Sequence, residues 1–312
     1  MPAPYRPKKG LLVAFFCVCA ALLALLGSQL WLASEALFKP ADGFADLNET
    51  PLSRYGLAFE EVTAVLEEGD AVRGWLIPSN TGSKELAVLV VHGRFGSRKF
   101  GLERLPMLQA TSAAVLAMDL RGGTGRSDGH GLPNGLATRE AVDVAAMVAE
   151  LKQRHYEHIV ILGCSLGSSA ALLAAAQDPT IAGVIAEAPL ASFPLYAARA
   201  PARQLLQYGL PEIGPVPLWG AFTVWLGRQR HAMPPITAPL EVAQHLAPRP
   251  VLLLHGTNDT MVAMAHSELL LQAIGPSATL TKLEGAAHCR GLQKTTRTYR
   301  EAILGYLNAI TP

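Results

Sequence analysis

The residues of this chain best placed to do chemistry are a serine between glycines, an aspartate closing an apolar run and a histidine in a loop of small residues. Gly163-Cys164-Ser165-Leu166-Gly167 has the form G-x-S-x-G, with the apolar run from Ile159 before it and the alanine-rich stretch to Ala176 after it. Such a motif has mechanical meaning where a strand enters and a helix leaves, because the sharp turn lifts the serine hydroxyl out of the sheet. That turn forces unusual backbone angles on Ser165, and residues two positions away must lack side chains for strand and helix to approach. The helix that starts at Leu166 would aim free N–H groups and a positive dipole end at charge developing beside the hydroxyl.

A serine hydroxyl is a weak nucleophile near neutral pH and requires a base, itself oriented by an acid. In the hydrolase arrangement the chain order is Ser, then Asp or Glu, then His. Asp259 at the end of "VLLLHGTND" and His288 in "LEGAAHCRG" satisfy it. Glu187, after "AGVIA", keeps the same order and is the rival acid. Asp119 precedes the serine and is assigned instead to organising its own glycine-rich loop, "MDLRGGTGRSDG". Among other histidines, His92 and His255 follow apolar runs and precede glycines, which suits turn-fixing roles, whereas His155, His158, His231 and His266 read as surface or cap residues. Two backbone donors are expected for an oxyanion: the N–H of Arg94, in "VHGRFGS" after the first parallel strand, and that of Leu166. "GGTGRS" lacks the Lys-Ser/Thr ending of a phosphate loop and the spacing of a dinucleotide site.

The elements that must hold these residues are visible as short apolar runs at 86–93, 113–120, 158–165, 181–189 and 249–259, each ending in Gly, Asp, Ser or Pro. Runs apolar on both faces belong to a sheet covered on both sides. Helical patterns at 137–154, 166–177 and 261–274 alternate with them, followed by a strand in "ATLTKLEGA" and a last helix near 292–310. Two β-type runs around Glu67-Glu68-Gly69-Asp70 suggest an antiparallel hairpin. The interval from Leu190 to Pro248 breaks the rhythm and is rich in aromatic residues and proline, which suits a helical insertion over one end of the sheet. The expected fold class is therefore α/β: a mainly parallel central sheet flanked by helices, with a helical cap at about 190–248 and an N-terminal transmembrane helix.

That helix is read from "LLVAFFCVCAALLALLGSQLWL", Leu11 to Leu32, which is uncharged over its 22 residues. At about 1.5 Å per residue it can cross a hydrocarbon core of about 30 Å. Arg6, Lys8 and Lys9 precede it, while Glu35, Asp42, Asp46 and Glu49 follow with only Lys39 opposing them. Positive-inside logic then leaves residues 1–10 in the cytoplasm, 33–54 as a linker and the domain of 55–312 outside the cytoplasm. A cleaved signal peptide is the rival, since Ser34-Glu35-Ala36 offers small residues, but the apolar stretch exceeds the usual core of about 7 to 15 residues. Charged residues make up only 16 % of the 312, and the 26 Lys and Arg are scattered, which argues against nucleic acid as a partner. The four cysteines form no CxxC or Cys/His spacing, so neither metal nor cofactor is expected.

Taken together, "VVHGRFGS", "MDLRGGTGRSDG", "GCSLG", "LLLHGTNDTMV" and "EGAAHCRG" resemble the blocks of the α/β-hydrolase superfamily in family order over about residues 55 to 310. The likeness is to its small membrane-anchored serine hydrolases, related to the dienelactone-hydrolase and prolyl-oligopeptidase branches. The resemblance implies Ser165 as nucleophile, His288 as base, Asp259 as acid, and Arg94 and Leu166 as oxyanion donors. It implies hydrolysis of an ester, thioester or amide through an acyl-enzyme. Acyl transfer to another acceptor would use the same residues, and a non-catalytic binding protein on this fold is the reading from a different class. Trp219, Phe222, Trp225 and Tyr208 in the cap suit either an acyl or aromatic substrate group or ordinary packing. Cys164 precedes the serine and Cys289 follows the histidine; outside the cytoplasm the two could form a disulfide beside the site, but because the residue before such a serine usually points into the core, buried free thiols are the favoured expectation.

Overall fold

A computed structural model describes residues 9–201 and 216–311 of the protein; Arg6, Lys8 and Tyr208 lie outside them. Eight strands form one sheet in the order β1-β2-β4-β3-β5-β6-β7-β8. They are β1 (Glu60–Val65), β2 (Ala71–Ile77), β3 (Leu86–Val91), β4 (Ala114–Asp119), β5 (His158–Cys164), β6 (Gly183–Glu187), β7 (Val251–Gly256) and β8 (Ala278–Leu283). The first two pair antiparallel, Val65 opposite Ala71, around the turn at Gly69, whose φ of 93° suits glycine. β2 runs antiparallel to β4, and from β4 through β3 to β8 every pairing is parallel.

Every residue of β3, β4, β6 and β7 is buried, because helices cover both faces. The helices are α1 (Lys9–Phe38), α2 (Pro51–Tyr55), α3 (Lys99–Leu102), α4 (Leu105–Gln109), α5 (Thr138–Gln153), α6 (Leu166–Gln177), α7 (Phe193–Ala198), α8 (Pro217–Arg230), α9 (Pro239–Val242), α10 (Ala265–Ile274), α11 (Gly291–Lys294) and α12 (Thr296–Ile310). Val144 and Met147 of α5, Leu172 of α6 and Leu270 of α10 close one face of the sheet. Leu102, Leu105 and Leu108 of α3 and α4, with Tyr299, Ile303 and Leu307 of α12, close the other. The short pair α3 and α4 forms the crossover from β3 to β4, where no helical period is visible in the sequence.

The apolar N-terminal helix runs past the expected Leu32 to Phe38. Residues 12–38 form the one helix among the described residues long and apolar enough to cross a membrane. Its last turns belong to the domain: Ser34, Leu37 and Phe38 are buried, and a side chain at Gly227 of α8 would overlap the Phe38 ring. The terminal carbonyls are satisfied from elsewhere in the domain. Arg94 Nη2 donates to Ala36 O and Lys39 O at 2.8 and 2.9 Å, and the Asn134 N–H donates to Phe38 O at 3.0 Å. The stretch expected as a linker thus begins inside a helix and ends in another, α2, closed by a capping box between Thr50 and Ser53 and a left-handed Gly56. In the cap, α7 and α8 pack through Gly220, where a Cβ would overlap the Pro194 carbonyl.

Candidate active site

Ser165 sits between β5 and α6 with φ 53° and ψ −117°, outside the ordinary regions for a residue with a side chain. The glycines around it explain how the strain is tolerated. A Cβ on Gly163 would stand 2.5 Å from the Gly167 carbonyl, and one on Gly167 would overlap the His92 carbonyl. The Ser165 N–H donates to Glu187 O at 2.8 Å, and Ser168 Oγ donates to the same carbonyl at 2.8 Å, tying the turn to the end of β6.

His288 lies in the loop after β8, and its Nδ1–H donates to Asp259 Oδ2 at 2.7 Å. Asp259 in turn accepts the N–H groups of Met261 and Val262 on Oδ1, both at 2.9 Å. Burial alone would raise the Asp259 carboxyl, but the hydrogen bond and charge of His288 outweigh it and hold the group below its ordinary value. A carboxylate fixed on Nδ1–H leaves Nε2 as the basic atom of the ring. Ser165 and His288 line one cavity of about 530 Å³ together with Gly93, Arg94, Leu166 and both Cys164 and Cys289. Gly93 abuts the serine turn, since a Cβ there would lie 3.3 Å from Ser165 Cβ, and Arg94, the next residue, lines the same cavity.

The rival acid is committed elsewhere. Glu187 is buried, pairs with Arg104 Nη2 at 3.1 Å, and accepts from Tyr299 OH at 3.1 Å and from the Gly291 N–H at 3.0 Å. Burial and the neighbouring Glu187 carboxylate push the Tyr299 hydroxyl up, so it remains a donor. Asp119 accepts from Arg98 N–H and Nε–H, both at 2.6 Å, and from the Arg126 N–H at 2.8 Å, which folds its glycine-rich loop. His92 donates from Nδ1 to Gly93 O at 2.7 Å and accepts the Leu120 N–H on Nε2 at 3.0 Å, joining that loop to the turn before Arg94. His266, read as a surface or cap residue, is buried and accepts the Ala191 N–H at 3.1 Å, because α10 packs its first turn under the cap.

One expectation is corrected outright. Cys164 and Cys289 are not free thiols but a disulfide, with Cα atoms 6.2 Å apart. The loop after β8 doubles back over the strand ends, held by Asn258 N–H on Ala286 O at 3.0 Å and by Gly291 N–H on Glu187, and so delivers Cys289 to the cavity side of Cys164. The cap aromatics are also placed differently from an acyl-binding wall: Phe222 and Trp225 are exposed, while Leu37, Phe193, Tyr196 and Phe100 line the cavity. The Glu187–Arg104–Tyr299 network and the wall formed by Leu37 had no sequence signal, since their partners are far apart in the chain.

The sequence profile of the alpha/beta hydrolase family matches residues 88–300, and the chain belongs to that family. Over 231 residues it is 26 % identical to the uncharacterized protein Rv2307c of Mycobacterium tuberculosis, covering 74 % of this chain and 73 % of that one. The protein YfhR of Salmonella typhimurium is 28 % identical over 222 residues, 68 % of each chain. Among solved structures, the Pyrococcus furiosus esterase Pf2001 superposes with a TM-score of 0.68 at 20 % identity, over 87 % of this chain and 98 % of that one. A membrane phospholipase A described as a bacterial virulence factor gives 0.59 at 16 % identity, over 98 % of this chain and 99 % of that one. At these identities the structural likeness concerns the fold. Membership of this family supports hydrolase chemistry.

Proposed function

We propose that the protein is a membrane-anchored serine hydrolase that cleaves carboxylic esters, with thioesters and amides as lesser substrates. The observation that carries this reading is the Asp259–His288 hydrogen bond on the cavity that also holds Ser165. In the proposed sequence, Ser165 Oγ attacks the carbonyl carbon while His288 Nε2 takes its proton, and Asp259 holds the ring and stabilises the imidazolium. The Arg94 and Leu166 N–H groups bind the oxyanion. His288 then protonates the leaving alcohol, and water enters by the same steps to release the acid.

Residues 55–312 are the catalytic unit in this reading, with the cap at about 190–248 and the anchor at 11–32. Anchoring is favoured over signal cleavage because cleavage after Ala36 would remove the buried Ser34 and the Ala36 carbonyl that accepts from Arg94. A disulfide at the site supports a domain on the oxidising side of the membrane, because cytosolic thiols are kept reduced. The apolar side chains lining the cavity suit an acyl chain better than a charged metabolite.

The test is a fluorophosphonate probe followed by peptide mapping, beside turnover of esters of increasing acyl length. Labelling is expected on Ser165 alone, with Ser165→Ala unlabelled and inactive on every ester. Labelling that persists in Ser165→Ala, or ester turnover by that variant, overturns the assignment.

A further inference from the structure

The two residues proposed as nucleophile and base come from strand ends that are not neighbours. Ser165 follows β5 and His288 follows β8, with β6 and β7 between them in the sheet. Hydrogen bonds inside the sheet fix the strand ends, but the 284–290 loop that carries His288 lies beyond β8, the edge strand. The ring itself is held on Nδ1 by Asp259. Two further ties hold its backbone. Cys289, the next residue, is bonded to Cys164, the residue before the nucleophile, and Gly291 N–H is bonded to Glu187, whose own carbonyl accepts the Ser165 N–H. Ser165, next to one bridged cysteine, and Cys289, the other, both have φ of 53°, a backbone conformation that side-chain-bearing residues rarely hold unaided.

From this arrangement we propose that Cys164–Cys289 is a positioning device for the reaction: a covalent strut that sets the distance between Ser165 Oγ and His288 Nε2. The proposal rests on the serine-hydrolase reading. The bridge spans 125 residues of sequence, yet it connects the immediate chain neighbours of the two reacting groups, so its constraint falls on their separation. It takes no part in the proton transfers, and the chemistry would proceed without it, more slowly. Base and nucleophile must be held within tenths of an ångström, and a displacement of about 1 Å can cost roughly 10²-fold in rate. Both cysteines line the cavity, so a small thiol that enters it meets the strut.

The test uses the full chain in detergent. Dithiothreitol, which closes to its cyclic disulfide as two electrons and two protons pass to the cysteine sulfurs, should lower kcat about 10- to 100-fold with KM within about threefold. Reoxidation with oxidised glutathione should restore it, and Cys164→Ala/Cys289→Ala should show the same low kcat and ignore both reagents, which also controls for Cys17 and Cys19. Prior occupation of Ser165 by a fluorophosphonate should slow reduction of the bridge. A strut acting through the base must couple to the acid: in an Asp259→Asn background, removing the bridge should cost at most about threefold. Assays are run well below each form's melting temperature. If reduction lowers only the melting temperature while kcat and the rate of Ser165 labelling stay within about twofold, the bridge is a stabiliser and the proposal is overturned. The same follows if the losses from reduction and from Asp259→Asn simply multiply. If the untreated chain is itself neither labelled nor active, the hydrolase reading fails instead.

Discussion

The guanidinium of Arg94 donates to the carbonyl of Ala36 at 2.8 Å, joining the loop proposed to bind the oxyanion to the last turn of the apolar helix. The same guanidinium reaches Lys39 O and stacks on the Phe95 ring at 4.3 Å, so it closes the helix terminus and stiffens its own loop. The apolar helix thus supplies a wall of the site, since Leu37 lines the cavity.

Removing that wall should therefore affect more than localisation. A chain beginning at Pro40 should be soluble without detergent, whereas the full chain should require it. The shortened chain should also bind short esters worse, with KM raised roughly tenfold, because Leu37 and the two carbonyl partners of Arg94 are gone. In the full chain, Phe38→Ala should cost about 3–5 kcal/mol of stability, the usual range for emptying a fully buried aromatic site. Recovery from cells of soluble protein beginning at Leu37, or an unchanged KM in the shortened chain, would contradict this account. Protease should reach the domain in spheroplasts and not in sealed inverted vesicles.

Stability should fall on mild acidification. Burial lowers His92 and His255 below the ordinary value of 6.5, with their neighbouring carboxylates opposing it. Both are neutral in the fold for a structural reason: His92 Nε2 accepts the Leu120 N–H, and His255 Nδ1 faces the Ser267 hydroxyl at 2.7 Å while Nε2–H donates to Val262 O at 3.0 Å. A histidine with a depressed folded pKa contributes stability that is full above 6.5 and is lost as pH falls below it, because only the unfolded chain takes up the proton. Each such group costs at most about 1.4 kcal/mol per pH unit below 6.5, so the two together should lower the melting temperature between pH 7.5 and 5.5, by up to roughly 5–10 °C. Asp259, held low, works in the same direction only below its ordinary value of 3.8. A melting temperature flat over that range, followed by calorimetry in detergent, would refute the neutral assignment of the two rings.

The parts of the molecule legible in the sequence are those whose cause is local. The order of β3 to β8 and the elbow at Ser165 follow from apolar runs closed by Gly, Asp or Ser, and the turn at Gly69 from its own backbone freedom. What stayed hidden depends on partners distant in the chain. Cys164 and Cys289 are separated by 125 residues, and nothing local says that the loop after β8 folds back over the strand ends. A pairing clue existed, since these two cysteines flank the proposed nucleophile and base while Cys17 and Cys19 fall in the apolar helix. Likewise the uncharged stretch marks where a helix could sit in a bilayer, but not that Ser34 to Phe38 continue it into the domain, because that extension is held by Gly227, Arg94 and Asn134.

The choice of acid gives the sharpest division among carboxylates. Asp259 Oδ2 lies 2.7 Å from His288 Nδ1, whereas Glu187 is spent on Arg104, Tyr299 and Gly291, and Asp119 on Arg98 and Arg126. Replacing the orienting acid of a serine-protease triad by its amide leaves nucleophile, base and oxyanion donors in place but favours the wrong tautomer, a loss of about 10⁴ in kcat. Asp259→Asn should cost on the order of a thousandfold or more in kcat with little change in melting temperature, since the amide oxygen can still accept the Met261 and Val262 N–H groups. Glu187→Gln should do the reverse. It leaves the buried Arg104 guanidinium without its counter-charge, a loss of about 3–5 kcal/mol in stability, while the surviving folded fraction keeps a kcat within about tenfold. Asp259→Asn combined with Ser165→Ala should be hardly slower than Ser165→Ala alone, because members of one catalytic unit do not lose rate additively. Calorimetry beside kcat on one soluble ester separates the two carboxylates, and a crippled but fully stable Glu187→Gln beside an active Asp259→Asn would transfer the acid's role to the end of β6.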